Sequence, residues 1–265
     1  MDRRPIGVMD SGLGGLSVLR VLRDQLPDES LTFVGDQGHF PYGTKSQEEI
    51  CRLSLSIGHF LVEQGAKMMV IACNTATGAA LPTLQRELPI PVVGVIEPGA
   101  KAALATGAKT VGVIGTESTI KNGAYAATIN RLAPDVKVIS HPAQPLVSIV
   151  EHGKTGTSES QAAVDDILSV FDQEPVDSLV LGCTHFPFLT NEIQRKMGDS
   201  VHLVDPAIET VQEVKRILTE GDLLAPAGNG DQAVHLYSTG DKLDLQAGAN
   251  QWLNGMYETC NHLDL

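Results

Sequence analysis

The sequence predicts an α/β fold of two similar lobes, each a mostly parallel sheet of the Rossmann-like or flavodoxin-like type, with an active site between them. Short apolar runs alternate with amphipathic stretches along the 265 residues, a pattern typical of parallel sheets flanked by helices. Motifs of the first half recur in the second, which predicts lobes related by a pseudo-two-fold axis. The length is ample for two cores. We expect residues 1–97 with 207–265 to form the first lobe and residues 98–206 the second.

The predicted strands are continuous apolar runs, as expected for strands buried on both faces. They lie near residues 5–10, 31–35, 67–72, 91–96, 110–115, 135–140, 177–182 and 201–204, with a late strand at 235–238. Helical periodicity fills the intervals, for example at 16–26, 46–64 and 158–171, and returns from about residue 243. A loop is predicted at 221–231, and the last helix is expected to pack on the first lobe.

Charge and hydropathy limit the function classes. The net charge of −13 and a pI near 4.9 argue against nucleic acid or an anionic membrane as the main partner. No apolar run reaches the roughly 20 residues that span a bilayer, and the N-terminal region has no signal-peptide pattern. We therefore expect a cytoplasmic protein whose partner is a small molecule. Oligomeric state stays open, with a homodimer as one alternative.

Four cysteines occur, at positions 51, 73, 183 and 260. They show no C-x-x-C pair and no clustered Cys/His spacing, so neither a metal site nor a disulfide framework is predicted. In a reducing compartment they stay thiols.

Cys73 and Cys183 stand in matching contexts, each directly after a predicted strand and before small polar residues. Ligands of open α/β sheets bind at the carboxyl ends of strands, so both thiols are expected where a ligand binds. A lone free cysteine is usually a small buried hydrophobe, and the repetition is what favours a functional pair. Acid–proline pairs follow, Glu97-Pro98 after Cys73 and Asp205-Pro206 after Cys183, and we expect each pair to end a core strand of its half.

Polar groups at other predicted strand ends can hold an anion. The segment 10–15, together with Asn74-Thr75, Thr116 and Thr184, precedes predicted helices, whose free N–H groups attract a carboxylate without lysine or arginine. Ordinary helix caps are the alternative for each position. A dinucleotide fingerprint fails, because Ser17 stands where the third glycine is required.

Three further side chains are candidates near these strand ends. His185 lies two residues after Cys183, close enough in sequence for an imidazole to relay a proton or tune a thiol. For Tyr42, in a turn shortly after Asp36, half-buried packing is the favoured interpretation from the residues alone. Glu151 could equally be a solvated turn acid.

Taken together, the motifs of this chain resemble those of the cofactor-independent aspartate/glutamate racemases, in particular the glutamate branch. The resemblance covers nearly the whole chain. It rests on Asp10-Ser11-Gly12-Leu13-Gly14-Gly15, Pro41-Tyr42-Gly43, Cys73-Asn74-Thr75-Ala76, Val150-Glu151 with Gly153, and Gly182-Cys183-Thr184-His185.

The resemblance implies glutamate racemisation without cofactor or metal, supplying D-glutamate for peptidoglycan. It implies that Cys73 takes the proton from D-glutamate and Cys183 the proton from L-glutamate, with Asp10, Glu151 and His185 assisting the thiols. The expected substrate contacts are Asp10, Ser11, Tyr42, Gly43, Asn74, Thr75, Thr116, Thr119, Thr184 and His185. Mild departures from the family pattern occur at Thr77, Asn122 and Phe186.

Inversion of an amino acid also explains a pair of thiols in chemical terms. One proton must leave one face of Cα while another returns to the opposite face, so a thiolate and a thiol must flank the carbon. The alternatives are an aspartate racemase of the same plan, a two-lobed amino-acid binding protein, and a pyridoxal-phosphate racemase. The last would need a Schiff-base lysine and a phosphate site, and neither has a clear candidate here.

Overall fold

Ten strands of three to six residues, most of them apolar runs, form two separate parallel sheets in the computed structural model, which describes residues 2–228 and 232–265. The strands are β1 (Ile6–Asp10), β2 (Leu31–Gly35), β3 (Met68–Ile71), β4 (Val92–Gly94), β5 (Thr110–Gly115), β6 (Lys137–Pro142), β7 (Ser178–Gly182), β8 (His202–Val204), β9 (Val234–Ser238) and β10 (Thr259–His262). The α/β class is confirmed.

The two sheets share one plan. The six-stranded sheet has the order β10-β9-β2-β1-β3-β4, and the four-stranded sheet has the order β6-β5-β7-β8. Without β9 and β10, the first order matches the second strand for strand, and every pairing in both sheets is parallel. The strands that precede the two cysteines, β3 and β7, therefore occupy equivalent places beside the central strands β1 and β5.

Helices connect the strands and cover both faces of each sheet. They are α1 (Leu16–Gln25), α2 (Gln47–Glu63), α3 (Asn74–Glu87), α4 (Ile96–Ala105), α5 (Glu117–Asn122), α6 (Ala124–Leu132), α7 (Gln144–Glu151), α8 (Ser158–Ile167), α9 (Val170–Gln173), α10 (Thr190–Met197), α11 (Pro206–Glu220) and α12 (Lys242–Trp252). Short 3-10 helices lie at Gln37–His39, Tyr42–Thr44 and Phe186–Leu189. None of the helices in the described residues is both long and apolar enough to cross a membrane.

Successive side chains of the central strands point to opposite faces of a sheet. In β1, Ile6 and Val8 pack with α1, α11 and α12, whereas Met9 packs with α2 and α3 on the other face. In β7, Leu179 and Leu181 pack with α7 to α10, whereas Val180 packs with α4 and α6. Each strand is buried on both sides, which is why its sequence is continuously apolar.

Several predicted element boundaries differ from the structure. The strand predicted at 91–96 ends at Gly94, because the chain turns into α4 from Ile96. The strand predicted at 135–140 is displaced to 137–142, and the helix predicted at 158–171 is interrupted between α8 and α9. Residues 229–231 of the predicted loop 221–231 lie outside the described residues.

The two acid–proline pairs are not equivalent. Glu97-Pro98 lies inside the first turn of α4, and Glu97 is half exposed. Asp205 is instead the N-cap of α11, and its side chain accepts a hydrogen bond from the Ala207 backbone. Both acids therefore lie near the start of a helix, but Asp205 caps its helix whereas Glu97 lies within the first turn. The expectation that each pair ends a core strand is wrong for Glu97.

One strand was not predicted. In β10 only Cys260 is buried, while its neighbours Thr259, Asn261 and His262 are exposed. This strand is at the edge of the sheet and pairs with β9 alone. A short polar edge strand has no apolar run by which it can be recognised.

Candidate active site

A small cavity lies where the carboxyl ends of β3 and β7 approach each other, and both Cys73 and Cys183 line it. Ten of the residues predicted from the sequence line this cavity: Ser11, Tyr42, Gly43, Cys73, Asn74, Thr75, Thr116, Cys183, Thr184 and His185. The remaining three, Asp10, Thr119 and Glu151, lie behind these residues and hydrogen-bond to them.

Cys73 follows β3 and caps α3. Its sulfur accepts a hydrogen bond from the Ala76 backbone N–H at 3.4 Å and lies 3.6 Å from the Ser11 hydroxyl oxygen. Burial, reinforced by the negative charge of nearby Asp10, raises the pKa of the Cys73 thiol to about 12. At neutral pH this cysteine therefore holds its proton.

Cys183 follows β7 and has an imidazole beside it. The His185 Nδ1 atom lies 3.6 Å from the Cys183 sulfur, and Nε2 lies 2.5 Å from Oε1 of Glu151. Burial lowers the pKa of His185, but its bonds to Cys183 and Glu151 outweigh burial and raise that pKa to about 10. The imidazole is thus protonated at neutral pH, with both ring nitrogens acting as donors.

Asp10 ends β1 and is completely buried. One carboxylate oxygen accepts a hydrogen bond from the Gly12 backbone, and the other accepts one of 3.2 Å from the Thr184 hydroxyl. Burial raises the pKa of Asp10 to about 6, although the charge of His185 opposes this shift. The Asp10–Thr184 bond links the ends of strands in the two sheets.

The glycine-rich segment allows the close approach of the two sheets. A Cβ atom on Gly14 would lie 2.4 Å from the Thr184 hydroxyl oxygen and 2.6 Å from His185 Nδ1. A Cβ on Gly15 would lie 2.4 Å from the Asp10 Cβ atom. These glycines therefore provide room for side chains of the site, which is a use distinct from a nucleotide-binding loop.

Three threonine hydroxyls form a triangle across the two sheets. Thr75 lies in the first turn of α3, Thr116 caps α5, and Thr119 lies in α5. Their hydroxyl oxygens are 2.9 to 3.0 Å apart in each pair. Beside this triangle, Asn74 accepts a bond of 2.6 Å from the Tyr125 hydroxyl. These contacts join α3 of the first sheet to α5 and α6, which are attached to the second.

Tyr42 is buried and donates its hydroxyl proton to Oδ2 of Asp36 at 2.5 Å. The other oxygen of Asp36 accepts from the Thr239 hydroxyl at 2.5 Å and contacts His39 Nδ1 at 2.8 Å. Burial, followed by the charge of Asp36, raises the pKa of Tyr42, so this hydroxyl stays neutral. Asp36 therefore joins the turn that contains Tyr42 and Gly43 to Thr239, which follows β9.

Sequence reasoning did not identify four residues that line the cavity: Phe40, Pro41, Gln144 and Val147. Phe40 and Val147 are apolar walls, and Phe40 also packs against the His185 ring at a centroid separation of 6.0 Å. Gln144 begins α7, the helix that ends at Glu151. Gln144 and Val147 lie on the same helix as Glu151, which was identified from the sequence. A helix that carries one site residue can bring its other end to the same cavity, so the position of these two residues relative to Glu151 was a usable indication.

The charges of the site are unusual for one that is expected to bind a dicarboxylate. The described residues that line the cavity include no lysine or arginine. Asp10 and Glu151 are acids, and His185 is the one basic side chain that contacts both an acid and a cysteine. Carboxylates here must be held by hydroxyl, amide and backbone N–H donors. Within the described part of the chain, no group of three potential ligands is placed to bind a metal.

Comparison with known proteins gives a consistent result. Residues 6–214 match the family model of the Asp/Glu/hydantoin racemases. The chain is 64% identical over 265 residues to a glutamate racemase of Limosilactobacillus reuteri, covering 100% of this chain and 98% of that relative. Its fold is similar to the glutamate racemase isoform RacE1 of Bacillus anthracis, with a TM-score of 0.94, 36% identity and coverage of 100% and 99%. The Francisella tularensis glutamate racemase in complex with D-glutamate gives a TM-score of 0.90 at 33% identity, covering 100% of this chain and 98% of that chain.

Proposed function

Since the chain belongs to the Asp/Glu/hydantoin racemase family, among its glutamate racemases, we propose that it inverts glutamate by proton transfer between Cα and two cysteines, Cys73 and Cys183. An amino-acid racemase is an isomerase, and L- and D-glutamate are its two substrates. The mechanism is supported by one observation above all: two buried thiols, each after an equivalent strand of one of the two sheets, line the same cavity.

In the direction from L to D, Cys183 begins as a thiolate and Cys73 as a thiol. The Cα–H bond of L-glutamate breaks, its proton passes to the Cys183 sulfur, and the electron pair remains on Cα and spreads into the α-carboxylate. The Cys73 thiol then gives its proton to the opposite face of Cα, which forms D-glutamate and leaves a thiolate at Cys73. The raised pKa of Cys73 supports this starting state, and the reverse reaction uses the same steps backwards.

The proton at His185 supports the same assignment. An imidazolium 3.6 Å from the Cys183 sulfur compensates a negative charge there, and Glu151 holds the ring in place from the other side. When Cys183 takes up a proton from substrate, the ion pair of His185 and Glu151 remains. Glu151 is therefore a positioning residue and His185 an electrostatic partner of the thiolate.

Carbanion formation also needs donors for the α-carboxylate, since negative charge develops there. The hydroxyls of Thr75 and Thr116 and the side-chain amide of Asn74 line the cavity and can donate, whereas the Thr184 hydroxyl gives its proton to Asp10. Asp10, ionised above its pKa of about 6, attracts the ammonium group of the substrate. The small, largely buried cavity keeps bulk water away, which strengthens each of these interactions.

The cellular role that fits this reaction is supply of D-glutamate for peptidoglycan in the cytoplasm, without cofactor or metal. Nucleic acid and membrane are not part of the proposal, and the oligomeric state is left open, with a homodimer as one alternative.

The test is an assay of the purified chain with each glutamate enantiomer and no added cofactor, followed by circular dichroism in D₂O. We expect the optical signal to decay to zero from either side and deuterium to enter at Cα. Retention of the optical signal of both enantiomers by folded protein would contradict the proposal. Inversion of glutamate that requires added pyridoxal phosphate would contradict the two-cysteine mechanism.

A further inference from the structure

We propose that Gln144 is a substrate-binding residue, whose side-chain amide donates a hydrogen bond to the glutamate carboxylate that lies between Gly43 and Thr116. The inference rests on the proposed function and adds a contact that the sequence motifs do not contain.

Gln144 is held at the cavity by the helix that it begins. The backbone N–H of the preceding residue, Ala143, donates to the Gly115 carbonyl at the end of β5. Leu146 and Val150 of the same helix are buried in the core of the second sheet. The helix is therefore fixed at both ends, because its last residue, Glu151, is bonded to His185.

The Gln144 amide lies directly against two of the predicted substrate contacts. A Cβ atom placed on Gly43 would lie 2.4 Å from Oε1 of Gln144 and 3.0 Å from the Cβ atom of Thr116. The amide, the Gly43 backbone and Thr116 therefore meet at one wall of the cavity. Glycine at position 43 is what leaves room for the amide.

This amide has an unused hydrogen-bonding capacity. Its Oε1 atom is buried and has no hydrogen-bond partner among the described residues. An unpaired buried amide oxygen costs stability, and native proteins rarely retain one without a use. The terminal torsion of glutamine is broad and roughly two-fold, so a half-turn places Nε2 where Oε1 lies. The same position can then donate to a bound carboxylate.

The ligand needs such a donor. Glutamate brings two carboxylates into a cavity whose described lining has no lysine or arginine. The hydroxyls of Thr75, Thr116 and Thr119 are within 2.9 to 3.0 Å of one another, so each can use its proton on a neighbour. Gln144 lies next to this triangle with its Oε1 atom unpaired, so after a half-turn its amide offers a further donor to the carboxylate, besides that of Asn74.

A purely structural role predicts different measurements. Leucine is an apolar side chain of comparable volume that cannot form a side-chain hydrogen bond, so Gln144→Leu removes an unpaired buried oxygen and keeps most of the packing. If the amide serves the substrate, the melting temperature is unchanged or rises while KM increases. If the amide serves the fold, the melting temperature falls and KM does not change.

The test compares Gln144→Leu, Gln144→Ala and Gln144→Glu with wild type, using full-length protein and both glutamate enantiomers. We expect the leucine and alanine variants to raise KM about tenfold or more in both directions, with a smaller change in kcat, as for loss of a hydrogen bond to a charged group. The glutamate variant should raise KM further, because its carboxylate repels that of the substrate. Gln212→Leu, at an exposed position of α11, is the matched control.

Wild-type KM in both the leucine and the alanine variant would overturn the role of Gln144 while leaving the proposed function intact. Failure of the wild-type protein to invert glutamate would instead overturn the proposed function. The two failures are therefore separate in the same experiment.

Discussion

Glu151 and His185 form a 2.5 Å hydrogen bond that fixes the imidazole with its Nδ1 atom 3.6 Å from the sulfur of Cys183. The equivalent sulfur, that of Cys73, lies near the Ser11 hydroxyl and the Ala76 N–H. Thr75 stands at the position after Cys73 where His185 stands after Cys183. The two lobes thus repeat the thiol while they differ in the group beside it, so the surroundings of the two thiols are asymmetric.

Each cysteine is expected to be indispensable. Cys73→Ser or Cys183→Ser should lower racemisation at least about 10²-fold in both directions, because a serine hydroxyl is a far weaker acid and base for Cα. Melting temperature should change little, since the substitution is nearly isosteric. Cys51→Ser, in α2 and outside the cavity, is the control and should keep full activity. Wild-type turnover by either catalytic variant would contradict the two-base mechanism.

The different surroundings of Cys73 and Cys183 should make KM and kcat differ between the two directions of the reaction. Enantiomers have equal free energies in water, so kcat/KM must be the same in both directions. In the proposed mechanism, D-glutamate binds the minor form, in which Cys73 has lost a proton whose pKa is about 12, and its apparent affinity is reduced by the fraction of that form. We expect both KM and kcat to be larger for D-glutamate than for L-glutamate, by the same factor. Progress curves from each enantiomer measure this, and a larger KM for L-glutamate would contradict it.

Breaking the Glu151–His185 pair should change stability in a pH-dependent way. The pKa of His185 rises from its ordinary 6.5 to about 10 in the fold, so its proton stabilises the native state fully below pH 6.5, and this contribution is lost as pH rises to 10. Glu151→Gln lowers the folded pKa of His185. Urea unfolding at pH 6, 8 and 10 should show a stability difference from wild type that is largest at pH 6 and shrinks by pH 10.

The control for that series is Glu159→Gln, which removes an exposed carboxylate paired with Lys154. Its stability difference from wild type should be small at all three values of pH, as for exposed ion pairs generally. A Glu151→Gln difference that is constant with pH would mean that the carboxylate acts on packing and not on the imidazole.

Asp36 should act on substrate binding through Tyr42. Asp36→Asn replaces one of two acceptor oxygens by a donor, so one of the bonds from Tyr42 and Thr239 is lost and the turn with Gly43 loosens. We expect stability to fall by about 1–3 kcal/mol and KM to rise more than kcat falls. Combined with Tyr42→Phe, the effect on KM should be less than the sum of the two single effects, because both changes weaken the same hydrogen-bond network around residue 36. Strict additivity would contradict this coupling.

The sequence predicted those parts of the molecule that depend on local pattern. Apolar runs located the strands before Cys73 and Cys183, and the rule that ligands bind at strand ends then brought most of the candidate residues to one cavity. Contacts between distant segments could not be obtained in this way. Asp36 and Thr239 are about 200 residues apart, and nothing near Asp36 indicates that a hydroxyl directly after β9 is its partner. Gln144 was not identified from the sequence for the same reason, because its proposed role depends on its contacts with Gly43 and Thr116.

The glycine at position 14 determines how closely the two lobes can approach each other. At this position the backbone of the first lobe approaches Thr184 and His185 so closely that a single methyl group would not fit. The cleft between the lobes can therefore be this narrow only because residue 14 has no side chain. A larger residue at position 14 would hold the two lobes further apart. Each carbon atom added there would widen the separation and increase the size of amino acid that both thiols could reach.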